Sequence, residues 1–147
     1  MFVDSSAFLS ILKDADDAAL LLEKIKGSRR PCKTSSGVRA AVVMALAESR
    51  ADRPGVSAEG VEMATEIFDG LLKALNVYEV AVSPRISSDG CALAGRFGNR
   101  TKHPAQLTLE NCMALAAAEY LRLPVLHSGA GFDRIGKDDL ADWRAGE

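Results

Sequence analysis

Asp4 closes the apolar run Met1-Phe2-Val3 and is the first side chain able to do chemistry. A second polar group, Glu110 and Asn111, stands at the mouth of an alanine-rich helical stretch, just before Cys112. Carboxylates gathered at one place would hold a hard divalent cation, which prefers oxygen ligands. Such a cation can activate water while neutralising a phosphodiester. Each residue also has a plain structural reading. Asp4 can be a helix N-cap, and Glu110 is favoured in a first turn by the helix dipole. Between the two groups, the Gly/Asn-rich stretch 95–104 carries Arg96, Arg100, Lys102 and His103. This cluster can be an ordinary solvated loop, or it can contact phosphates, which needs charge but no metal. His127 has no spaced partner and reads as a satisfied structural histidine, and Cys112 reads as a small core residue.

Overall composition narrows the setting. The 147 residues are 48% hydrophobic and 26% charged, the balance of one globular domain. A net charge of −2 gives no global pull towards nucleic acid or anionic membrane. No apolar run approaches the roughly 20 residues of a membrane span, and MFVDSSAFLSIL lacks the basic start of a signal peptide. Cys32, Cys91 and Cys112 are odd in number and widely spaced. They suit neither a disulfide framework nor a metal pair, and the expected setting is a reducing cytoplasm.

The elements that must position these groups alternate. Strands are expected at 1–3, 32–34, 77–82 and 124–126, where short runs rich in β-formers or apolar residues stop at turn signals. Helical spacing marks 7–13, a second helix from Asp14 or Asp16 to Gly27, a third from Val38, and a long one capped by Ser57. Ser5 and Ser6 are expected to cap the first, and residues 86–97 are expected to be helical. With no hairpin signal between neighbouring strands, this pattern predicts a single α/β domain over 1–147, a mostly parallel sheet flanked by helices. In such sheets the ligand site lies at the C-terminal ends of the strands, which is where Asp4 falls.

Four segments in order, VDSSA, RPCKTSS, GNRTKHPAQLTLENC and LRLPVLHSGAGF, resemble PIN-domain proteins, specifically the VapC-type toxins of bacterial toxin–antitoxin pairs. The resemblance spans nearly the whole chain and implies a PIN-like three-layer sandwich. It further implies a metal-dependent endoribonuclease in which about four acids hold Mg²⁺ or Mn²⁺, a VapB-like antitoxin partner, RNA as substrate and a homodimer.

Carried over position by position, the first family acid matches Asp4, with Ser6 in the usual place of the small hydroxyl residue beside it. The second, a Glu seven residues after the Thr of a Thr-Ser turn, falls at Ala41, with Ala40 before it and Arg39 beside it. The third, the Asp of Gly-Asp-Cys, falls at Asn111, with Glu110 at the Gly, and Thr108 stands where the family has Asn. The fourth belongs to a Gly-Asp-Asp-Phe turn that here reads Gly129-Ala130-Gly131-Phe132, placing it at Ala130. One acid of four therefore remains, and the expectation is weak or no metal binding with nuclease activity lost or severely reduced. A single inactivating replacement would explain Asn111 but not Ala41 and Ala130. The alternative is an active Mg²⁺- or Mn²⁺-dependent endoribonuclease in which Glu110 or Asp133 substitutes. Ser6, Arg96, Arg100, Lys102 and His103 are the candidate nucleic-acid contacts. Asp138 and Asp139 read as a solvated tail turn, and Trp143 as a packing or partner anchor.

Overall fold

Phe2 and Val3 have no exposed surface, and together they make the central strand β1 (Phe2–Val3). The structure is a computed structural model that describes residues 1–145; residues 146 and 147, the end of the expected domain, lie outside the described part. Helices α1 (Ser5–Leu12) and α2 (Ala18–Lys26) lead to β2 (Lys33–Ser35). Then α3 (Ser36–Ser49) and α4 (Ala58–Leu75) lead to β3 (Tyr78–Val80), and α5 (Pro84–Phe97) and α6 (Leu109–Tyr120) lead to β4 (Val125–Leu126). A 3-10 turn (Phe132–Arg134) and α7 (Lys137–Ala145) follow. All strand pairs are parallel, in the order β3-β2-β1-β4, with Phe2 opposite both Lys33 and Val125. The expected α/β class, a parallel sheet flanked by helices, is the one observed.

Strand order sets the location of the site. The chain steps outward from β1 to β2 to β3, then crosses back to place β4 on the other side of β1. The reversal leaves a crevice at the C-terminal ends of β1 and β4, the usual ligand position in open parallel sheets. Asp4 emerges there, its backbone N–H bonded to Leu126 O at 2.9 Å.

Several boundaries differ from the sequence expectation. The first helix starts at Ser5 because Asp4, rather than Ser5 or Ser6, is its N-cap: the carboxylate accepts from Ser6 N–H. The third expected strand shrinks to Tyr78–Val80, an edge strand whose Tyr78 and Glu79 face solvent, so alternation over 77–82 overstated its length. The fifth helix is capped by Ser83, starts with Pro84 at its first turn and continues to Phe97, so Arg96 belongs to a helix and not to the loop. Asp139 is not a free tail residue, since it accepts from Gly136 N–H at 3.0 Å in the first turn of α7. Trp143 lines a cleft of about 690 Å³ with Tyr120, Leu123 and Pro124 and packs on the core. The core joins Phe8 and Phe68, in edge-to-face contact at 5.0 Å, to Phe97, Leu93 and the alanine face of α6. Among the described residues no helix is long and apolar enough to cross a membrane.

Candidate active site

Asp4 is completely buried, and a buried carboxylate is costly unless its lone pairs are met. Its Oδ2 accepts from Ser6 N–H at 2.9 Å and from the Ser6 hydroxyl at 2.6 Å. From the first turn of α6, Asn111 Nδ2 donates to Oδ1 at 3.3 Å and to Oδ2 at 3.1 Å. Residues 107 positions apart are thus brought into direct contact. Asn111 is oriented by its own helix start: Thr108, the N-cap of α6, accepts from Asn111 N–H at 3.2 Å. The Thr108 hydroxyl then donates to Asn111 Oδ1 at 2.9 Å. Turning the amide over would set its oxygen against the Asp4 carboxylate and its NH₂ against a hydroxyl already receiving a backbone N–H, so the network selects the observed orientation.

A hydroxyl relay extends the site. The Ser6 oxygen accepts from Ser128 N–H at 3.1 Å, and the Ser128 hydroxyl donates to Asp17 Oδ2 at 2.7 Å. The Ser10 hydroxyl donates to the other oxygen of Asp17. These bonds, Ser10 first and Ser128 second, hold the Asp17 carboxyl below its ordinary range. On the opposite flank, buried Thr34 donates to Val3 O at 3.0 Å, tying β2 to the strand that carries Asp4.

The other candidate positions do not add carboxylates to this centre. Ala41 is half-buried on α3 and Ala130 is exposed in the turn after β4, and each presents only a methyl group. Arg39, expected to set its charge beside position 41, is instead bound to Asp69 at 2.6 Å and to Glu79 at 2.6–2.7 Å, above the Phe68 ring. The hydrogen bond with Glu79, and then that with Asp69, raise its pKa further above the ordinary guanidinium value. Glu110 is exposed in the first turn of α6. Asp133 is exposed, 3.5 Å from His127 Nε2, and His127 stacks on Phe132 at 4.8 Å in the turn after β4. Among the described residues, no group of three or more His, Cys, Asp or Glu is arranged to hold a metal ion. Cys112 is buried and its thiol is pushed up to about 11, chiefly by desolvation and then by Glu110, so it stays protonated at neutral pH.

His103 turns inward, edge-on to Phe97 at 4.9 Å, and its Nδ1 accepts from Ala105 N–H at 3.2 Å. That leaves the ring proton on Nε2, 3.8 Å from Asp139. Its geometry is that of a loop-fixing residue. Arg96 lies over the Phe97 ring at 5.4 Å, while Arg100 and Lys102 are exposed on a turn held by Thr101 and Gln106. Sequence reading had no signal for the Asp17–Ser128–Ser6 relay, whose members are distant along the chain. The Thr108 cap was also missed, although Thr three residues before a polar side chain at a helix start is a signal for it.

No family model matches the chain. Individual relatives do. It is 32% identical over 133 residues to a ribonuclease VapC of Mycolicibacterium smegmatis, covering 90% of this chain and 93% of the relative. It is 29% identical over 140 residues to a VapC ribonuclease of Rhizobium meliloti, covering 90% and 96%. Among solved structures it is similar to VapC20 of Mycobacterium tuberculosis, described as a sarcin–ricin loop cleaving toxin, with a TM-score of 0.65 at 12% identity over 92% of this chain and 94% of that one. A toxin–antitoxin complex from Klebsiella pneumoniae aligns with a TM-score of 0.59 at 16% identity over 88% and 86%. Together with a parallel sheet that delivers Asp4, Ser6 and Asn111 to one crevice, these similarities show that the chain belongs to the VapC family of PIN-domain toxins.

Proposed function

We propose that this chain keeps the fold and the antitoxin partnership of the VapC family while its metal-dependent endoribonuclease activity is lost or severely reduced. The observation that carries this reading is the contact between Asn111 and Asp4. A divalent cation would need free oxygen ligands at this place. Instead, the one carboxylate is buried and hydrogen-bonded on both oxygens, and an amide NH₂ faces it. The residues present do not fit Mg²⁺ or Mn²⁺, and no catalytic step is derived through either ion.

The alternative, an active nuclease completed by Glu110 or Asp133, gains no support from where those residues sit. Glu110 is exposed at the helix start, and Asp133 is exposed in the turn after β4. What remains is a binding role in a reducing cytoplasm: a homodimer that takes a VapB-like antitoxin, with Arg100 and Lys102 free to meet RNA phosphates without metal. Support for the antitoxin comes from the family and from the toxin–antitoxin complex among the structural neighbours.

Calorimetric titration with Mn²⁺, beside an RNA cleavage assay, tests the reading. The expected outcome is no saturable Mn²⁺ binding and no Mn²⁺-dependent cleavage. Tight binding that disappears in Asp4→Ala, together with cleavage, would refute it.

A further inference from the structure

Position 111 has a role beyond the missing charge. Ser6, the local partner of Asp4, sits two residues away and holds it within the start of α1. Asn111 is the partner brought from a distant element, and its amide is aimed by the Thr108 hydroxyl. We infer that Asn111 is a positioning residue that clasps the start of α6 to the end of β1, its amide supplying the positive pole that a bound cation would otherwise supply. The inference rests on the metal-free reading of this site. Its physical basis is that a buried carboxylate strongly disfavours a second carboxylate at hydrogen-bond range, yet accepts an N–H donor there.

The two ends of the clasp are chemically interchangeable. One carboxylate and one amide are needed, and either residue can carry either group. Asn caps helices about as well as Asp, so Asp4→Asn preserves the start of α1. The asymmetry with ordinary packing is sharp: a contact that only fills space is indifferent to which side holds the charge, whereas this one depends on having one of each.

Thermal melts in chelator of wild type, Asn111→Asp, Asp4→Asn and the double swap Asp4→Asn/Asn111→Asp test this directly. Asn111→Asp is expected to lower Tm by about 10 °C, because it leaves two unneutralised carboxylates in contact. Asp4→Asn is expected to lower it less, and the swap to recover most of the loss caused by Asn111→Asp. If the swap loses the sum of the single losses, the clasp is overturned. If Asn111→Asp does not fold, the same cycle on Asn111→Ala applies: Asp4→Asn/Asn111→Ala should lose less than the two singles combined, and strict additivity overturns the proposal. A final arm adds Mn²⁺, expected to raise Tm of Asn111→Asp and not of wild type. A rise in wild type overturns the metal-free reading itself, a failure separate from that of the swap.

Discussion

Replacing Gly90 by alanine sets two opposing effects against each other in the interior of α5. The added methyl improves helix propensity by about 0.8–1 kcal/mol. Against this, Gly90 is buried where α5 packs along α6, and a Cβ there would lie 2.3 Å from Met113 Sδ, 3.3 Å from its Cγ and 3.2 Å from its Cα. The sulfur can swing away, but the Cα is backbone and yields only if the helices separate by a few tenths of an ångström. Overpacking of this kind costs about 1–3 kcal/mol, leaving a net loss of about 0–2 kcal/mol once the propensity gain is subtracted. For a chain of this size that is a fall in Tm of up to roughly 6 °C, and no stabilisation. Gly95 lies in the same helix and Gly70 in α4, both exposed, and a Cβ at either meets nothing within 4 Å. There the propensity gain stands alone, and Gly95→Ala and Gly70→Ala should each raise Tm by about 2–4 °C. Differential scanning calorimetry of the three variants separates the cases. Equal stabilisation by Gly90→Ala and Gly95→Ala would refute the close approach of α5 to Met113.

Two further outcomes follow from the site and the core. Asp17 is held below its ordinary carboxyl value by Ser10 and Ser128, so its contribution is present above that ordinary value and disappears as pH falls through the depressed one. Urea melts should therefore show Asp17→Asn less stable than wild type at neutral pH, with the gap closing in strong acid; a gap independent of pH would contradict this. Of the three cysteines, Cys91 is exposed while Cys32 and Cys112 are buried. A thiol reagent should titrate one group rapidly in the native protein and all three in denaturant, and fast native reaction of Cys112 would contradict the raised value of its thiol.

What could be read in advance depended on how local the signal was. Helix spacing and the Ser57 cap placed the start of α4, because propensity and capping act over neighbouring positions. The crevice could be placed at Asp4 because the end of a short apolar strand is a topological landmark. The extent of β3 was not legible, since an edge strand's limits depend on β2 beside it, with Thr34 opposite Glu79 and Ser35 opposite Val80. Nor was the fate of Arg39: its partners, Asp69 and Glu79, come from two other elements. His103 beside three cations suggested a phosphate contact, yet Phe97 and Ala105 draw its ring inward. Motif order singled out Asn111 in the sequence, but its hydrogen bonds to Asp4 exist only once α6 is laid beside β1.

Asp4 caps α1 as well as facing the crevice, and its two duties have different dependences. Starting a helix needs a side-chain oxygen at that residue whatever reaction the domain performs, and losing the cap costs about 1 kcal/mol. Positions 41 and 130, on a half-buried helix flank and in an exposed turn, carry no comparable obligation to the backbone. Decay of a charged centre built on this scaffold would thus be uneven, with the helix-starting acid the last to go. An aspartate at position 4 is therefore a poor marker of catalysis in chains of this architecture, and the residue facing it across the crevice is the more informative one to inspect.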